Sequence, residues 1–597
     1  MIMVLGVLAL VLLAFLLELA SPDIIAMSAF CALFVFGVVP VADLLTVFSN
    51  SAPITIACMF IVTAALEKSG AIDDITHLLS KHLPAPLRLI LLIVTLFVGV
   101  SSAFVNNTPI VALFMPVLLA LARERGLAAS KLLIPLSYAS IMGGSCTLIG
   151  TSTNIIVSGI ASKSGFEPFG FFELAWIGVP ILTIGVVYLT IVGPWLLPER
   201  QSLTAVLSPE DRRQQLCQVL IKPDSILIGE ILTDTRLATN PKEFRILQVR
   251  RDGKTLLAPM DKIKIRKFDR ILISASQDRL EKTAQGQYQL QEKLEDELGL
   301  QSLSTIAGSI IEGVISPHSS LLGKSIRNIN FRQKYGMLVL ALHRHGQNLS
   351  KNFLDEKLEF GDTLLLLGSV DNFAELQEQG DFMLLEDDLP RTFRRPKAKW
   401  AWLAIASVVT ISAANLLPIV AAGLLAVLFV LMTKCLDSEE AYKAVDWQII
   451  FLIYGMLGVG VAMESSGAAQ FIANETVGLA EGIFPAVLLP YAVLSLTYLL
   501  TTILTEMMSN NATAVVMAPI AIGIALALGV DPRPFIIVVA IASSEAFVTP
   551  IGYQTNTMVY GVGGYKFSDY VRIGLPLSLI LWVTASLLIP VIWPFQP

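Results

Sequence analysis

Charged residues are scarce in this sequence. They make up 15% of its 597 residues, whereas hydrophobic residues make up 54% and the mean hydropathy is +0.69. A chain of this length with so little charge is too apolar to be an ordinary soluble protein. The charges lie in one central block and in short loops and form no basic face, so we expect no nucleic-acid partner. The composition indicates a polytopic membrane protein that lies in a lipid bilayer.

Metal-ligating and nucleophilic patterns are also missing. The five cysteines show no paired or metal-ligand spacing, which predicts neither disulfides nor a zinc site. No Ser-His-Asp, metal-ligand or clustered-carboxylate constellation falls within the apolar stretches, so we expect neither an enzyme nor an organic cofactor. The first 20 residues lack a basic segment and a small-residue cleavage site, so we expect them to remain as a span.

Apolar stretches long enough to span a membrane recur along the chain. They form two groups, separated by a polar block at 198–399. The first group comprises 2–20, 23–40, 51–67, 87–122, 131–160 and 173–197. The second comprises 400–417, 418–434, 446–464, 484–527, 534–562 and 571–594.

The two groups share four short motifs in the same order, which indicates an internal duplication. The pairs are "LEKSGA" (66–71) with "MESSGA" (463–468), "FVNNTPIVALFMP" (104–116) with "MSNNATAVVMAP" (508–519), "GTSTNIIV" (150–157) with "GYQTNTMV" (552–559), and "WIGVP" (176–180) with "RIGLP" (572–576). We therefore predict two membrane repeats, at 1–197 and 391–597.

The basic residues of the loops orient these repeats. With the N-terminus outside, five crossings place 198–399 in the cytoplasm, and most loop lysines and arginines then face the cytoplasm, as the positive-inside rule requires. Lys163 and Arg533 are the main exceptions. This orientation requires 87–122 and 484–527 to be re-entrant hairpins. Since five is odd, the second repeat is inverted relative to the first.

The predicted fold class is therefore a mostly α polytopic membrane protein built as an inverted repeat. Each repeat has five spans and one re-entrant hairpin, which makes about ten spans and two hairpins. An α+β region is inserted between the repeats on the cytoplasmic side. The predicted location is the inner or plasma membrane of the cell.

Polar and helix-breaking residues interrupt the apolar stretches at four places, one of which is "VTPIGYQTNTMVYG" (548–561). Irregular backbone survives at membrane depth only inside protein or beside water, so the four interruptions are expected to meet near the midplane. Helix N-termini there can bind an anion, and unpaired carbonyls can bind a small cation. The interruptions contain no arginine or lysine, which favours cation-coupled transport of a small anion.

Two carboxylates lie beside the interruptions of the second repeat. Glu506 comes three residues before Ser509, and Glu545 comes four before Thr549. An intramembrane carboxylate is a functional candidate, and each is equally compatible with a proton carrier and with a hydrogen-bond partner. A proton-coupled anion exchanger is therefore an alternative to sodium-coupled transport. A channel of a different class, with the polar block as its ligand-operated gate, is another.

At these residues the sequence resembles the divalent anion/sodium symporter family. "TEMMSNNAT" (505–513) is similar to that family's second Ser-Asn-Thr hairpin motif, and "VNN" (105–107) occupies the place of the first. The resemblance implies an alternating-access symporter with one Na⁺ site in each repeat and the anion between the hairpin tips. The first sodium site would use Ser101, Asn106, Gly150 and Asn154, and the second Thr505, Asn510, Thr549 and Asn556. The residues facing the anion would be Asn106, Asn107, Ser152, Thr153, Asn510, Asn511, Gln554 and Thr555.

The sequence departs from this family's pattern in ways that bear on the substrate. Val105 stands in place of a serine, and Asn107 and Asn511 replace two threonines. The broken helices read "TSTN" and "YQTN", without the proline pair of dicarboxylate members. These segments are closer to a branch similar to algal and cyanobacterial sulfate permeases. Sulfate is therefore the expected substrate, and a C4-dicarboxylate is the alternative.

The polar block contains a second duplication. The matching pairs are "IKPDSILIGE" (221–230) with "ISPHSSLLGK" (315–324), "ILQVRRDGK" (246–254) with "VLALHRHGQ" (339–347), and "FDRILISAS" (268–276) with "FGDTLLLLGS" (360–369). Their alternating apolar residues and turn residues predict two small β-rich domains, at 198–300 and 301–390.

Both of these domains resemble the C-terminal domain of potassium-channel RCK regulators, also called TrkA-C. The resemblance implies a regulatory role, a homodimer and a nucleotide-type regulatory ligand. Basic residues on the matched strand ends are compatible with either a phosphate contact or a solvated surface: Arg250, Arg251, Lys254, His343, Arg344 and His345.

Overall fold

The computed structural model describes residues 1–17, 19–71, 86–199 and 394–595 without a break, and between 213 and 384 it describes mainly strands and adjoining turns. The chain divides into two compact units. The helical unit consists of Met1–Glu199, Thr392–Val559 and Tyr565–Pro597, and the sheet unit consists of Arg200–Arg391 with Tyr560–Gly564.

The first part of the helical unit precedes the polar block. Its helices are α1 (Ile2–Leu16), α2 (Pro22–Val35), α3 (Val41–Phe48), α4 (Ser51–Lys68), α5 (Leu87–Ser102), α6 (Asn107–Arg125), α7 (Leu133–Gly144), α8 (Ser152–Lys163) and α9 (Ala175–Ile191). A one-turn helix, Gly193–Leu196, follows α9.

The second part follows the polar block. Its helices are α10 (Ala398–Ala413), α11 (Ile419–Met432), α12 (Ser438–Ala444), α13 (Trp447–Ser465), α14 (Ala468–Glu481), α15 (Leu489–Met507), α16 (Asn510–Leu528), α17 (Arg533–Ala542), α18 (Gln554–Val562) and α19 (Phe567–Ile592). The sequence did not predict α3, α12 and α14 as separate helices.

Several of these helices are suited to a membrane. Five helical stretches of the described chain are long and apolar enough to cross one: Asp43–Lys68, Trp447–Ser465, Leu489–Met507, Asn510–Leu528 and Phe567–Ile592. Shorter apolar helices accompany them, among them α2, α5, α9 and α11. The chain is a multi-pass membrane protein.

Two of the predicted apolar stretches are broken in the middle. The stretch at 131–160 forms α7 and α8, separated by the non-helical residues 145–151. The stretch at 534–562 forms α17 and α18, separated by 543–553. These breaks fall where glycine, threonine and proline replace the apolar residues of the sequence. We call these segments, each with the first turn of the helix that follows it, the first and the second break.

Two other stretches form helical hairpins with short turns. Residues 103–106 join α5 to α6, and Met508 with Ser509 joins α15 to α16. The Ser509 hydroxyl accepts a hydrogen bond from the Ala512 N–H (3.3 Å) and so caps α16. At its other end α16 stops at Gly529, whose φ of 69° lies in the left-handed region. We call these turns, each with the first turn of the helix that follows it, the first and the second hairpin tip.

The two parts of the helical unit pack against each other in reciprocal pairs. Helix α2 packs against α13, and α11 packs against α4. Helix α7 packs against both α5 and α6, as α17 packs against α15 and α16. The contact between α2 and α13 depends on Gly455, because a Cβ there would overlap the backbone of Ala26. Helix α9 packs against α19, where the Tyr188 hydroxyl donates to the Ile573 carbonyl (2.8 Å).

An antiparallel sheet forms the framework of the sheet unit. Its strands are β1 (Arg213–Ile221), β2 (Phe244–Arg251), β3 (Lys254–Thr255), β4 (Arg270–Ser276), β5 (Leu300–Ile315), β6 (Leu338–Arg344), β7 (Gln347–Leu349), β8 (Thr363–Ser369) and β9 (Phe382–Leu384). Their order is β3-β2-β4-β1-β5-β8-β6-β7, and β9 also pairs with β5. Two copies of one four-strand pattern therefore meet where β1 pairs with β5, with Leu216 opposite Ile306.

The same ion pair recurs in both copies. Arg251, at the end of β2, donates through Nε and Nη2 to the two carboxylate oxygens of Asp269, each at 2.8 Å. Arg344, at the end of β6, donates in the same way to Asp362 at 2.8 and 2.6 Å. Both carboxylates are buried. Such paired hydrogen bonds hold a guanidinium group firmly in one orientation.

This ion pair bears on the predicted phosphate contacts of the sheet unit. The guanidinium groups of Arg251 and Arg344 are engaged with buried aspartates of their own domains, so they hold strands and turns together. His345, which was predicted with them, lies outside the described residues.

Candidate functional site

Each hairpin tip contacts the broken helix of the opposite part. At the second tip, the Asn511 Oδ1 accepts hydrogen bonds from the Ser152 hydroxyl (2.9 Å) and the Thr153 hydroxyl (3.3 Å), which begin α8. At the first tip, the Asn107 Nδ2 donates to the Tyr553 hydroxyl, beside the start of α18. The partners in each contact are several hundred positions apart in the sequence. The two tips and the two breaks therefore meet.

Four helices begin in this region. Helices α6, α8, α16 and α18 start at Asn107, Ser152, Asn510 and Gln554. The first N–H groups of a helix have no partner within it, and the helix dipole places partial positive charge there. The two tips and the two breaks contain no lysine or arginine. An anion in this region would therefore be bound by backbone dipoles, amides and hydroxyls.

The residues predicted to face the anion differ in exposure. Asn107, Thr153 and Thr555 are at most 1% exposed. The Thr555 and Ser137 hydroxyls lie 2.8 Å apart, within hydrogen-bond distance, and Asn510 is also buried. The more accessible members of the predicted set are Asn106, Ser152, Asn511 and Gln554.

Asn106 lies in a cavity of its own with helix α4. The lining residues include Met59, Phe60 and Thr63 of α4, together with Ser152 at the start of α8. No hydrogen bond among the described residues joins Ser101 or Asn106 to Gly150 or Asn154. The structure thus brings Asn106 to Ser152, which is one of the predicted anion-facing residues.

Asn154 organises the first break. Its side chain is fully buried, and its Nδ2 donates to the carbonyls of Gly144 (3.2 Å) and Thr147 (2.8 Å). Its Oδ1 has no hydrogen-bond partner in the described chain. Gly150 packs on the same turn, because a Cβ there would overlap the Gly144 carbonyl. A buried acceptor oxygen without a donor fits a small cation that takes oxygen ligands.

Asn556 makes the matching pattern in the second break. Its Nδ2 donates to the carbonyls of Ala546 (2.8 Å) and Thr549 (3.3 Å), while its Oδ1 accepts from the Ser137 hydroxyl (2.7 Å). The Thr505 hydroxyl donates to the Ser543 carbonyl (2.6 Å). Thr505 and Asn556, two members of the predicted second sodium set, are therefore held in place by backbone carbonyls of this break. The hydroxyl of Thr549 donates instead to the Glu506 carbonyl of α15 (3.2 Å).

Asn510 completes that set from the second hairpin tip. It is 8% exposed, and its Nδ2 has no hydrogen-bond partner in the described chain. The nearby Thr513 hydroxyl is also buried without a partner there. Polar groups left unpaired in a buried place cost free energy, which favours a ligand that pairs with them.

Glu506 acts as an anchor for the second break. Its carboxylate accepts three backbone hydrogen bonds, from the N–H groups of Phe547, Val548 and Thr549 at 2.7 to 2.8 Å. These three bonds tie the end of α15 to the backbone of the second break. Of the two roles open to Glu506, the geometry fits the hydrogen-bond partner.

Glu545 has a different environment. It is 1% exposed, the Tyr498 hydroxyl donates to its Oε2, and its Oε1 has no partner in the described chain. A buried carboxyl with one neutral donor and one unpaired oxygen is suited to carry a proton. Both roles remain open for this residue.

Tyr553 is a site residue that the sequence analysis did not select. Its hydroxyl accepts from Asn107 and lies 3.4 Å from the Thr151 hydroxyl, so it connects the first hairpin tip with both breaks. A tyrosine in an apolar stretch suggests packing. The signal that could have identified it is its position, since Tyr553 stands opposite Thr151 when the two "N" motifs of the breaks are aligned.

Comparisons with known proteins point to transporters. The sequence model of the citrate transporter family, CitMHS, matches residues 12–542. A relative in Synechocystis sp., described as an uncharacterized transporter, is 36% identical over 99% of this chain and 97% of its own length. An uncharacterized transporter of Escherichia coli is 29% identical over 100% of this chain and 99% of its own length. Sodium/sulfate cotransporter 2 of Chlamydomonas reinhardtii is 24% identical over 95% of this chain and 87% of its own length.

Proposed function

The chain belongs to the citrate transporter family, CitMHS, and from this premise we propose that it is a sodium-coupled symporter of a small divalent anion, with sulfate as the substrate. It is a membrane transporter and makes no chemical bond. The proposed substrate and coupling ion are those named for relatives such as sodium/sulfate cotransporter 2 of Chlamydomonas reinhardtii.

The observation that carries this proposal is the contact of each hairpin tip with the break of the opposite part. It brings four helix N-termini together without any basic side chain. Such a site suits a small anion that sheds its water onto backbone N–H groups, amides and hydroxyls. The anion would lie among Asn106, Ser152, Asn511 and Gln554, with Asn107, Thr153, Asn510 and Thr555 behind them.

Sodium would bind on either side of the anion. The unpaired Asn154 Oδ1 and the carbonyls of the first break supply oxygen atoms for one ion, with Ser101, Asn106 and Gly150 as its other predicted neighbours. Asn510, Asn556, Thr505 and Thr549 would serve a second ion. Two cations beside the site would offset the charge of a divalent anion.

Transport would proceed by alternating access within an inverted repeat. In this proposal the hairpins and the broken helices form a moving core, and α1 to α4 with α10 to α14 form a scaffold. The reciprocal packing of α2 on α13 and of α11 on α4 supports a two-fold relation between the parts. About ten spans and two re-entrant hairpins would result, with the repeats inverted.

The sheet unit would be cytoplasmic and regulatory. Its two copies of one strand pattern support the proposed pair of TrkA-C-like domains within 198–390. A homodimer and a nucleotide-type ligand stay proposals that rest on the resemblance alone. Because Arg251 and Arg344 are engaged within their own domains, such a ligand would have to bind elsewhere.

Proton coupling is the second candidate mechanism, and Glu545 favours it. Its unpaired buried Oε1 is the specific observation. If uptake does not depend on sodium and is lost in a Glu545→Gln variant, the protein is coupled to protons and not to sodium. A C4-dicarboxylate is the alternative substrate.

The test is uptake into proteoliposomes that contain the purified full chain. Labelled sulfate should accumulate when sodium is high outside, and should not when potassium replaces it at the same membrane voltage. Excess thiosulfate, succinate and citrate would be added as competitors. Sulfate uptake that does not depend on sodium would contradict the proposal. So would uptake that only citrate or succinate inhibits.

A further inference from the structure

A second cavity lies at the other end of the helices that carry the candidate site. Helix α8 ends there with Lys163, eleven residues and roughly 16 Å of helix from Ser152. Helix α13 contributes Glu464, and α16 contributes Pro519 and Leu526. The wall is mainly apolar, with few polar side chains. None of the residues predicted for the anion or for sodium lines this cavity.

The Lys163 ammonium is the unexplained group of this cavity. Its Nζ is buried and has no hydrogen-bond partner in the part of the chain that the structure describes. Asp43 and Glu464 act on it electrostatically, but neither forms an ion pair with it within 4 Å among the described residues. An ammonium offers three donors, and leaving them unpaired away from water is costly. The cavity therefore lacks an acceptor.

The lining indicates what kind of acceptor would fit. A small inorganic anion would meet an apolar wall and the repulsion of the Glu464 carboxylate. A head group with one negative and one positive charge matches Lys163 and Glu464 together, and an acyl chain matches the apolar wall formed by residues such as Leu457, Ile522 and Leu526. Both charged residues lie at helix ends, the level at which lipid head groups are found.

We propose that this cavity binds a phospholipid with a zwitterionic, phosphoethanolamine head group. The phosphate accepts hydrogen bonds from Lys163, and the ammonium group of the lipid donates to Glu464. The acyl chain lies along α13 and α16. A lipid in this position contacts α8 and α16, which carry the candidate site, as well as α13.

The experiment measures retention of defined lipids by the purified, delipidated full chain, using native mass spectrometry. The probes are dioleoyl phosphatidylethanolamine and dioleoyl phosphatidylglycerol, which share acyl chains and a phosphate but differ in the ammonium group. The wild-type chain should bind the ethanolamine lipid more tightly. The Lys163→Met variant should bind it roughly tenfold more weakly, as expected for the loss of one charge-assisted interaction.

Two further variants separate the parts of the site. Glu464→Gln should weaken binding of the ethanolamine lipid and strengthen binding of the glycerol lipid. Gly460→Leu should displace both, because a Cβ at Gly460 meets only the Pro519 ring, at 3.7 Å, and the larger side chain would fill the cavity without a backbone clash. Lys399→Met, at an exposed helix start, and Glu481→Gln are the matched controls and should leave lipid binding unchanged.

Three results would overturn the proposal. The first is equal retention of the two lipids by the wild-type chain, which would indicate only attraction between a cation and a phosphate. The second is unchanged binding by the Lys163→Met and Gly460→Leu variants, provided that their thermal unfolding matches that of the wild type. The third is equal weakening in Lys399→Met, which would mean that surface charge alone is responsible.

Discussion

At the scale of single residues, Asn511 is one of the side chains that join the two parts of the candidate site. Its Oδ1 receives hydrogen bonds from Ser152 and Thr153. We expect Asn511→Ala to raise the KM for sulfate roughly tenfold, because two hydroxyls lose their acceptor and one amide is lost from the anion site. The measurement is the sulfate dependence of uptake in proteoliposomes. Asn474→Ala, at an exposed position of α14, is the control.

A second residue-scale prediction concerns Asn154, which occupies in the first break the position that Asn556 occupies in the second. Asn154→Ala removes the unpaired oxygen of the first break and should raise the sodium concentration for half-maximal uptake about tenfold. Asn154→Asp keeps an acceptor oxygen and should have a smaller effect on the sodium dependence. Equal effects of both variants on sulfate affinity, with the sodium dependence unchanged, would remove Asn154 from the sodium site.

Glu506 provides a third test, because an anchor and a proton carrier respond differently to neutralisation. Glu506→Gln weakens three backbone hydrogen bonds and should lower the free energy of unfolding by about 3 kcal/mol. Thermal unfolding of the detergent-solubilised chain measures this change. A variant as stable as the wild type whose uptake no longer depends on pH would instead make Glu506 a proton carrier.

At the scale of elements, β9 is tied to its surroundings through a buried carboxylate. Burial raises the pKa of Asp381, but the hydrogen bonds from Ser320, Tyr335 and Ser319 outweigh it and lower the pKa below its ordinary value of 3.8. The folded pKa is thus lower than the unfolded one, so the carboxylate stabilises this region at neutral pH and the contribution is lost as the pH falls through the folded pKa.

We therefore expect protection of this region from hydrogen exchange to decrease on acidification. Peptides covering Ile315 and Tyr335 should exchange faster below about pH 4, after correction for the intrinsic rate. An Asp381→Asn variant should exchange faster already at pH 7 and should show little further change with acid. Protection that is identical in variant and wild type at both pH values would contradict this account.

Several elements could be predicted from the sequence because their signals are local. The two broken helices and the two hairpins follow from glycine, proline and amide residues that interrupt long apolar runs, and the helix limits agree with those runs within a few residues. The strand pattern of the polar block follows from its alternating residues. In contrast, the short helices α3, α12 and α14 carry no interruption of this kind and were missed.

The contacts between elements could not be predicted in the same detail. The bond between Asn107 and Tyr553 joins residues 446 positions apart, and no local pattern encodes that pairing. The motif alignment placed Asn106 both beside a sodium ion and facing the anion, but it could not show that this residue shares a cavity with α4 and Ser152. Such orientations depend on how whole helices pack, which a single sequence does not express.

At the scale of the whole molecule, the proposed motion of a core against a scaffold can be tested by cross-linking. Asn50, at the start of α4, donates to the Gly159 carbonyl of α8 (3.2 Å). A Cβ at Gly159 would lie 2.5 Å from the Ala52 Cβ, so the variant combines Asn50→Cys and Gly159→Cys with Ala52→Gly. Its disulfide would tie scaffold to core, and we expect oxidation to abolish sulfate uptake and reduction to restore it.

The matched control is a disulfide within the scaffold. A Cβ at Gly423 of α11 would lie 3.7 Å from the Cys58 sulfur of α4, so the Gly423→Cys variant can pair with the native cysteine. Oxidation of this variant should leave uptake largely intact. If both disulfides leave uptake intact, α4 and α8 move together and the division into core and scaffold is wrong.

The crossed contacts of the hairpin tips have a consequence for how such a protein can be assembled. A polypeptide ending near residue 199 would have Asn107 without Tyr553, and one beginning near 394 would have Asn511 without Ser152. Neither fragment alone could recognise its cargo, yet the two produced together as separate chains should regain it once they dock. An ancestral protein with a single repeat would have needed a second copy of itself, in the opposite membrane orientation, to form the same site.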